Sequence, residues 1–309
     1  MLPLMFAAAL VDTVIAPPAD LNTIYVHEWG AITFAEEVII GAAPPSDPLS
    51  NYTTPDEWDE LLVRAPVVYF YGATFQGTFT VTVPSGTFIE TWPVPEKLTA
   101  IAPLHLASSS RAVWTISGTS WGEPGTTDTP AGRHELSFSP EILDIWRWPP
   151  SFLLEFGNGI REKFIYYECA LRPQNNDDFY PALLTNDGTV LSPEYHGELI
   201  RFIKSDGKVI IDPITGRYGM RREIQQATEY GDILETLCSW AGGTMKSDEI
   251  NAMWTTWEDW IYNGSWSGDT LLVFPLPDET VERMSSITLE TSEEHDIEYS
   301  RFYVGILSN

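Results

Sequence analysis

The chain has 309 residues, 43% hydrophobic and 13% aromatic, enough apolar material to fold as a packed globule without a disulfide or a metal. Asp and Glu number 44 against 17 Lys and Arg, a formal net charge of -27. A field of that sign repels phosphate backbones and anionic lipid surfaces, which excludes nucleic acid as a partner.

The first segment, residues 2–21, reads LPLMFAAALVDTVIAPPADL. An apolar run followed by small residues and Pro17-Pro18 is expected to be a secretory signal peptide over residues 1–18. It is a degenerate one, because no Lys or Arg precedes the run and Asp12 interrupts it. The same aspartate and the shortness of the run argue against a membrane-spanning helix. The mature chain is therefore expected outside the cytoplasm, whether periplasmic, secreted or envelope-associated. An oxidising compartment would permit a disulfide between Cys169 and Cys238, but Cys238 falls on an apolar helical face, which favours a buried free thiol.

The next segment, TIYVHEWGAITF at residues 23–34, is rich in branched and aromatic residues and predicts a strand. Thr54-Pro55-Asp56-Glu57 opens a short helix with a capping box. Val67 to Tyr71 is a continuous apolar run, the pattern of a strand buried on both faces. Phe79, Val81 and Val83 alternate with threonines, and Pro84-Ser85-Gly86 turns the chain into another strand ending at Trp92. Residues 117–133, rich in Gly, Thr and Pro, read as a loop.

Ser139-Pro140-Glu141 starts a short helix stopped by Pro149-Pro150, and EKFIYYECA at 162–170 is a buried strand. LIRFIK and KVIID form a hairpin about Asp206-Gly207. Met220, Ile224, Ala227, Gly231, Leu234, Cys238 and Ala241 define the apolar face of a long helix that stops at Gly242-Gly243. A second helix, capped by Ser247, carries Ile250, Met253, Trp254, Trp257 and Ile261 on one face. Residues 270–275 and 300–307 close the chain as strands. The expected fold is α+β and β-rich: a β-sandwich-like part over residues 19–135, then an α+β part over 136–309, with two amphipathic helices packed on strands. Integration of the two parts into one unit is left open.

Val26-His27-Glu28-Trp29-Gly30 resembles the V-H-E-W-G-T-F-T hallmark of a family of exported bacterial proteins of unknown function. Residues 66–71 (PVVYFY) resemble the family's P-V-I-Y-F-Y strand, and residues 162–167 (EKFIYY) its E-K-F-L-F-Y segment. Ala252-Met253 with Thr256-Trp257 resembles its A-M-x-x-T-W helix, and Arg301 to Gly305 its closing R-V-x-V-G strand. The sequence departs from the pattern at Ala31-Ile32 and at Glu168-Cys169. The resemblance implies export and a shared fold, and it implies no reaction.

Chemistry could sit at few places. His27 and Glu28 pair a general base with an acid, but on a strand they point to opposite faces and cannot share one metal. The competing reading of His27 is hydrogen-bonded packing beside Trp29. The other histidines are scattered, so neither a metal site nor a cofactor is expected. No G-x-S-x-G elbow and no phosphate-binding glycine loop is present. Carboxylates beside tryptophans suit carbohydrate, which places Glu90 with Trp92, Asp259 with Trp257, and Trp29 among the candidate binding residues. The leading expectation is a binding or structural protein that recognises a glycan or an envelope protein. The rival is a secreted hydrolase using His27 or Glu28 with a second carboxylate.

Overall fold

The computed structural model describes residues 22–33, 61–100, 109–121, 140–171, 183–184, 190–191, 198–215, 230–266 and 268–308. The expected leader, the helix at Thr54–Glu57 and residues 122–133 lie outside these. The first strand, β1 (Thr23–Thr33), is buried on both faces, and so are β2 (Leu61–Gly72), which pairs with it, and β9 (Ile165–Leu171), which pairs with β2. That is why these segments read as continuous apolar runs rather than as alternations.

They are the middle of an eight-stranded sheet. Its other members are β4 (Gly86–Trp92), β12 (Glu198–Ser205), β13 (Lys208–Thr215), β14 (Thr270–Pro275) and β16 (Asp296–Ser308). The order is β13-β12-β14-β16-β1-β2-β9-β4. β1 pairs in parallel with β16, so the first and last described strands are neighbours. A second sheet contains β3 (Phe75–Val83), β6 (Ser110–Trp121), β7 (Phe152–Phe156), β8 (Arg161–Glu162) and β15 (Ser286–Thr291), in the order β15-β3-β6-β7-β8. β5 (Lys97–Ala100) pairs with β6. A small separate pair is formed by β10 (Leu183–Leu184) and β11 (Val190–Leu191).

The two sheets face one another across a core of Phe70, Phe79, Trp114, Phe152, Tyr167 and Tyr303. Phe70 meets Phe79 edge-on at 5.2 Å, a geometry favoured by the ring quadrupoles. The opposite face of the large sheet is covered by helices α1 (Pro140–Trp146), α2 (Tyr230–Trp240) and α3 (Ser247–Tyr262). Trp29, Tyr69, Tyr166 and Phe202 of the sheet pack there on Trp146, Met253, Trp254 and Trp257. A fourth helix, α4 (Asp278–Met284), sends Val281 and Met284 into the sandwich core. The protein is thus α+β and β-rich, in three layers of helices, large sheet and smaller sheet. Both sheets draw strands from either side of residue 135. Among the described residues no helix is long and apolar enough to cross a membrane.

Several local expectations are corrected. Ser117 to Trp121 belongs to β6, because pairing with β3 and β7 overrides the weak strand preference of Ser, Gly and Thr. Gly118 is required there, since a Cβ would stand 2.7 Å from the Phe75 ring. On α2 the deeply buried stripe is Ile233, Leu237 and Ala241, with Leu234 and Cys238 at its margin. Cys238 is accordingly half-buried, while Cys169 is the fully buried thiol, and both are free. The cap of α3 is Lys246 rather than Ser247; the Glu249 carboxylate reaches back to accept the Lys246 N–H at 2.6 Å.

Candidate functional site

His27 and Glu28 leave β1 on opposite faces, as strand geometry requires. His27 enters the helical layer and meets Glu249 in the first turn of α3. Its Nδ1 lies 3.0 and 3.1 Å from the two carboxylate oxygens. Glu249 is fully buried and also accepts the Tyr71 hydroxyl at 2.8 Å. The Lys246 ammonium sits 3.3 Å above the centre of the Tyr71 ring, a cation–π contact. Burial lowers the Lys246 pKa from the usual lysine value, opposed by Glu249 and Asp248. Burial, then the Glu249 charge, pushes the Tyr71 phenol well up.

Glu28 enters the space between the sheets. The Tyr167 hydroxyl donates to one oxygen at 2.6 Å, and Arg301 Nε donates to the other at 2.5 Å. The same guanidinium donates to the Ser285 carbonyl and hydroxyl, both at 2.7 Å, and to Glu282 at 3.2 Å. Burial alone would lower the Arg301 pKa, but Glu28, aided by Tyr303 and Tyr167, raises it. A charge-assisted, hydrogen-bonded cluster of this kind fastens β1, β9, β16 and the end of α4 together.

Two further buried carboxylates behave alike. Glu162 accepts from Arg147 at 2.8 Å and from the Trp92 indole at 3.2 Å. Glu168 accepts from Arg64 and, at 2.9 Å, from the Tyr166 hydroxyl, and stands directly opposite Glu90 in the sheet. Burial raises the Glu168 pKa, with Arg64 pulling it back.

The expected binding tryptophans are core residues. Trp29, Trp92 and Trp257 are at most 5% exposed, so none offers a ring face to a sugar. The reason is position: Trp29 and Trp92 point from the large sheet into the helical layer, and Trp257 lies on the packed stripe of α3. Asp259 is exposed on the outer side of the same helix, and Glu90 is half-buried on edge strand β4. These residues do not converge on one site.

What does converge is a cleft of about 300 Å³ at the edge of β16. Beyond Pro275 the chain of β14 turns away into α4, and Leu276 N–H makes a last bond to the Tyr303 carbonyl at 2.9 Å. The opening is lined by Trp240, Ala241 and Thr244 from the end of α2, by Pro275 and Leu276, by Asp278, Val281 and Glu282 of α4, and by Tyr299 to Phe302 of β16. Tyr299 is 41% exposed, and its hydroxyl accepts the Leu289 N–H at 2.8 Å, which holds the ring in place. Arg301 forms part of the wall, but its donors are committed to Glu28, Ser285 and Glu282. The polar character of the cleft is therefore set by the carboxylates and hydroxyls, which suits a neutral or cationic ligand better than an anion.

Sequence reasoning missed Glu249, Arg301, Ser300 and Trp240. Two had a signal: Glu249 is the third helical residue of a capping box, and Arg301 is a lone charge at the head of the apolar run FYVGIL. Among the described residues no group of three His, Cys, Asp or Glu is placed to hold a metal ion. No family model matches the chain, and no curated protein matches it.

Proposed function

We infer that the protein is an extracytoplasmic binding protein that takes a glycan segment in the β16 cleft. The observation that carries this reading is the cleft itself. Its lining pairs two aromatic residues, Trp240 and the anchored Tyr299, with Asp278, Glu282, Ser300 and Thr244. Aromatic rings cover the apolar faces of sugars, and carboxylates accept their hydroxyls; a cleft lined by apolar and polar groups in similar measure suits a ligand that is itself amphipathic, as a sugar is. Export is supported by the leader-like residues 1–18 and by motifs that resemble an exported family. A glycan would be the accessible polymer in that compartment, and an envelope protein is the other partner class to test.

The test is a thermal-shift panel of neutral, cationic and anionic oligosaccharides against wild type and Tyr299→Ala. A ligand confined to the native state raises its melting temperature by mass action. The expected result is stabilisation by a neutral or amino sugar that is lost in Tyr299→Ala. Stabilisation by anionic sugars alone, or equal shifts in both proteins, would remove the cleft as the binding site.

A hydrolytic reading retains one specific observation in its favour. His27, although buried, is held by a carboxylate rather than by backbone.

A further inference from the structure

The parallel pairing of β1 with β16 places His27 directly beside Ser300. Adjacent strands lie about 4.8 Å apart, and cross-strand partners project from the same face. Arg301 meets Glu28 between the sheets, so Ser300, one residue earlier, faces the helical layer with His27. Ser300 also lines the cleft. The fold thus sets Ser300 on the strand position beside the His27–Glu249 pair, and of the three it is Ser300 that lines the cleft.

The order of contacts has chemical content. In the tautomer that donates Nδ1–H to Glu249, Nε2 is left as the acceptor, on the ring edge away from the carboxylate. A buried carboxylate that fixes a histidine tautomer and stabilises the imidazolium is the orienting member of a nucleophile–base–acid set, recognised by roles rather than by chain order. A donor for a developing oxyanion is also available. Leu276 N–H bonds the Tyr303 carbonyl on the β14 side of β16. Alternate residues of a strand present their backbone to the same side, so the Arg301 N–H faces that side too. Among the described residues no strand pairs with it there.

We propose that Ser300, His27 and Glu249 form a hydrolytic set that cleaves an ester carried by the ligand bound in the cleft. The proposal rests on the cleft being the ligand site. Ser300 Oγ attacks the ester carbonyl carbon while His27 Nε2 takes its proton. The carbonyl oxygen, now anionic, is met by the Arg301 N–H. The carbon–oxygen bond to the alcohol breaks, and His27 returns the proton to the leaving alkoxide. Water then attacks the acyl–Ser300 ester, giving its proton to His27. The acyl–Oγ bond breaks, Ser300 regains the proton, and the net reaction is ester plus water to acid plus alcohol. Ser300 and His27 are not hydrogen-bonded in this structure. Rotation of Ser300 about χ1 and closure on a ligand would have to form that bond, as apo catalytic contacts are commonly long.

The test treats the intact protein with a fluorophosphonate probe and maps the adduct by mass spectrometry, alongside the oligosaccharide panel. The expected result is one adduct per chain, on Ser300. It should be absent in Ser300→Ala, and its rate should fall by more than about tenfold in Glu249→Gln. Because Glu249 is a core group, Ser300→Cys serves as the second variant: it keeps the fold and exchanges fluorophosphonate for iodoacetamide reactivity. An adduct on any other serine, or no adduct while Ser300→Ala and wild type bind sugar equally, overturns the hydrolytic set and leaves the binding reading intact. Loss of both sugar binding and labelling in folded wild-type protein overturns the two together.

Discussion

At the scale of single residues, Glu28 and Arg301 form the most exacting pair in the molecule. Both side chains are at most 6% exposed, and each is held at hydrogen-bond distance by the other. Removing one partner leaves an uncompensated charge between the sheets. Arg301→Met should therefore lower the unfolding free energy by about 3–5 kcal/mol, whereas the double variant Glu28→Gln/Arg301→Met should regain part of that loss. Urea unfolding midpoints of the three proteins check this; equal losses in single and double variants would show that the pairing itself carries no weight. Gly30 has a different constraint: a Cβ there would lie 2.5 Å from Cε1 of Tyr303. Gly30→Ala should cost about 1–3 kcal/mol by overpacking, read from the same midpoints. The opposite facing of His27 and Glu28 was legible in the sequence, because the strand period of two dictates it. Their partners were not, since Glu249 and Arg301 lie 222 and 273 residues away along the chain. Only the parallel pairing of the two end strands brings the second of them close.

At the scale of elements, what periodicity could see it saw well. The five apolar residues read onto α3, from Ile250 to Ile261, are all buried. On α2 the stripe is displaced by one position, because its packing against α3, and not its own sequence alone, decides which side faces inward. The hairpin of β12 and β13 turns at Asp206 and Gly207, with φ of 51° and 73°. Both central residues in the left-handed region are what a two-residue hairpin demands. Gly207→Ala should lose on the order of 1 kcal/mol, seen as a lower melting temperature with unchanged ligand binding. Strand β6 beyond Ser117 was hidden because its residues have poor strand preference, and only pairing, with β3 as far as Gly118 and with β7 through Trp121, makes them extended. The cleft was hidden for a related reason: it is assembled from α2, α4 and the ends of two strands, and no contiguous motif describes it.

At the scale of the whole molecule, the chain closes on itself through β1 and β16, and its polar interior is dominated by carboxylates and phenols. Tyr69, Tyr71, Tyr166, Tyr167 and Tyr303 are buried, and burial foremost pushes each phenol well above 10.0. Above pH 10 the unfolded chain releases these protons while the folded chain keeps them. Stability should then fall as pH rises, by about 1.4 kcal/mol per pH unit for each tyrosine that ionises only on unfolding. Melting temperatures between pH 8 and 11.5, with tyrosinate absorbance as a second signal, check this. A flat profile above pH 10 would contradict it.

The reading of the molecule as a binding protein turns on one place, the β16 cleft, and on the aromatic wall that Trp240 gives it. The most direct measurement is calorimetric titration of the best-stabilising oligosaccharide into wild type, Trp240→Ala and Asp259→Ala. Binding in the cleft requires affinity to fall at least about tenfold in Trp240→Ala, roughly 1.4 kcal/mol. It should be unchanged in Asp259→Ala, which alters the exposed outer side of α3. Undiminished affinity in Trp240→Ala would place the ligand elsewhere and contradict the assignment of the cleft.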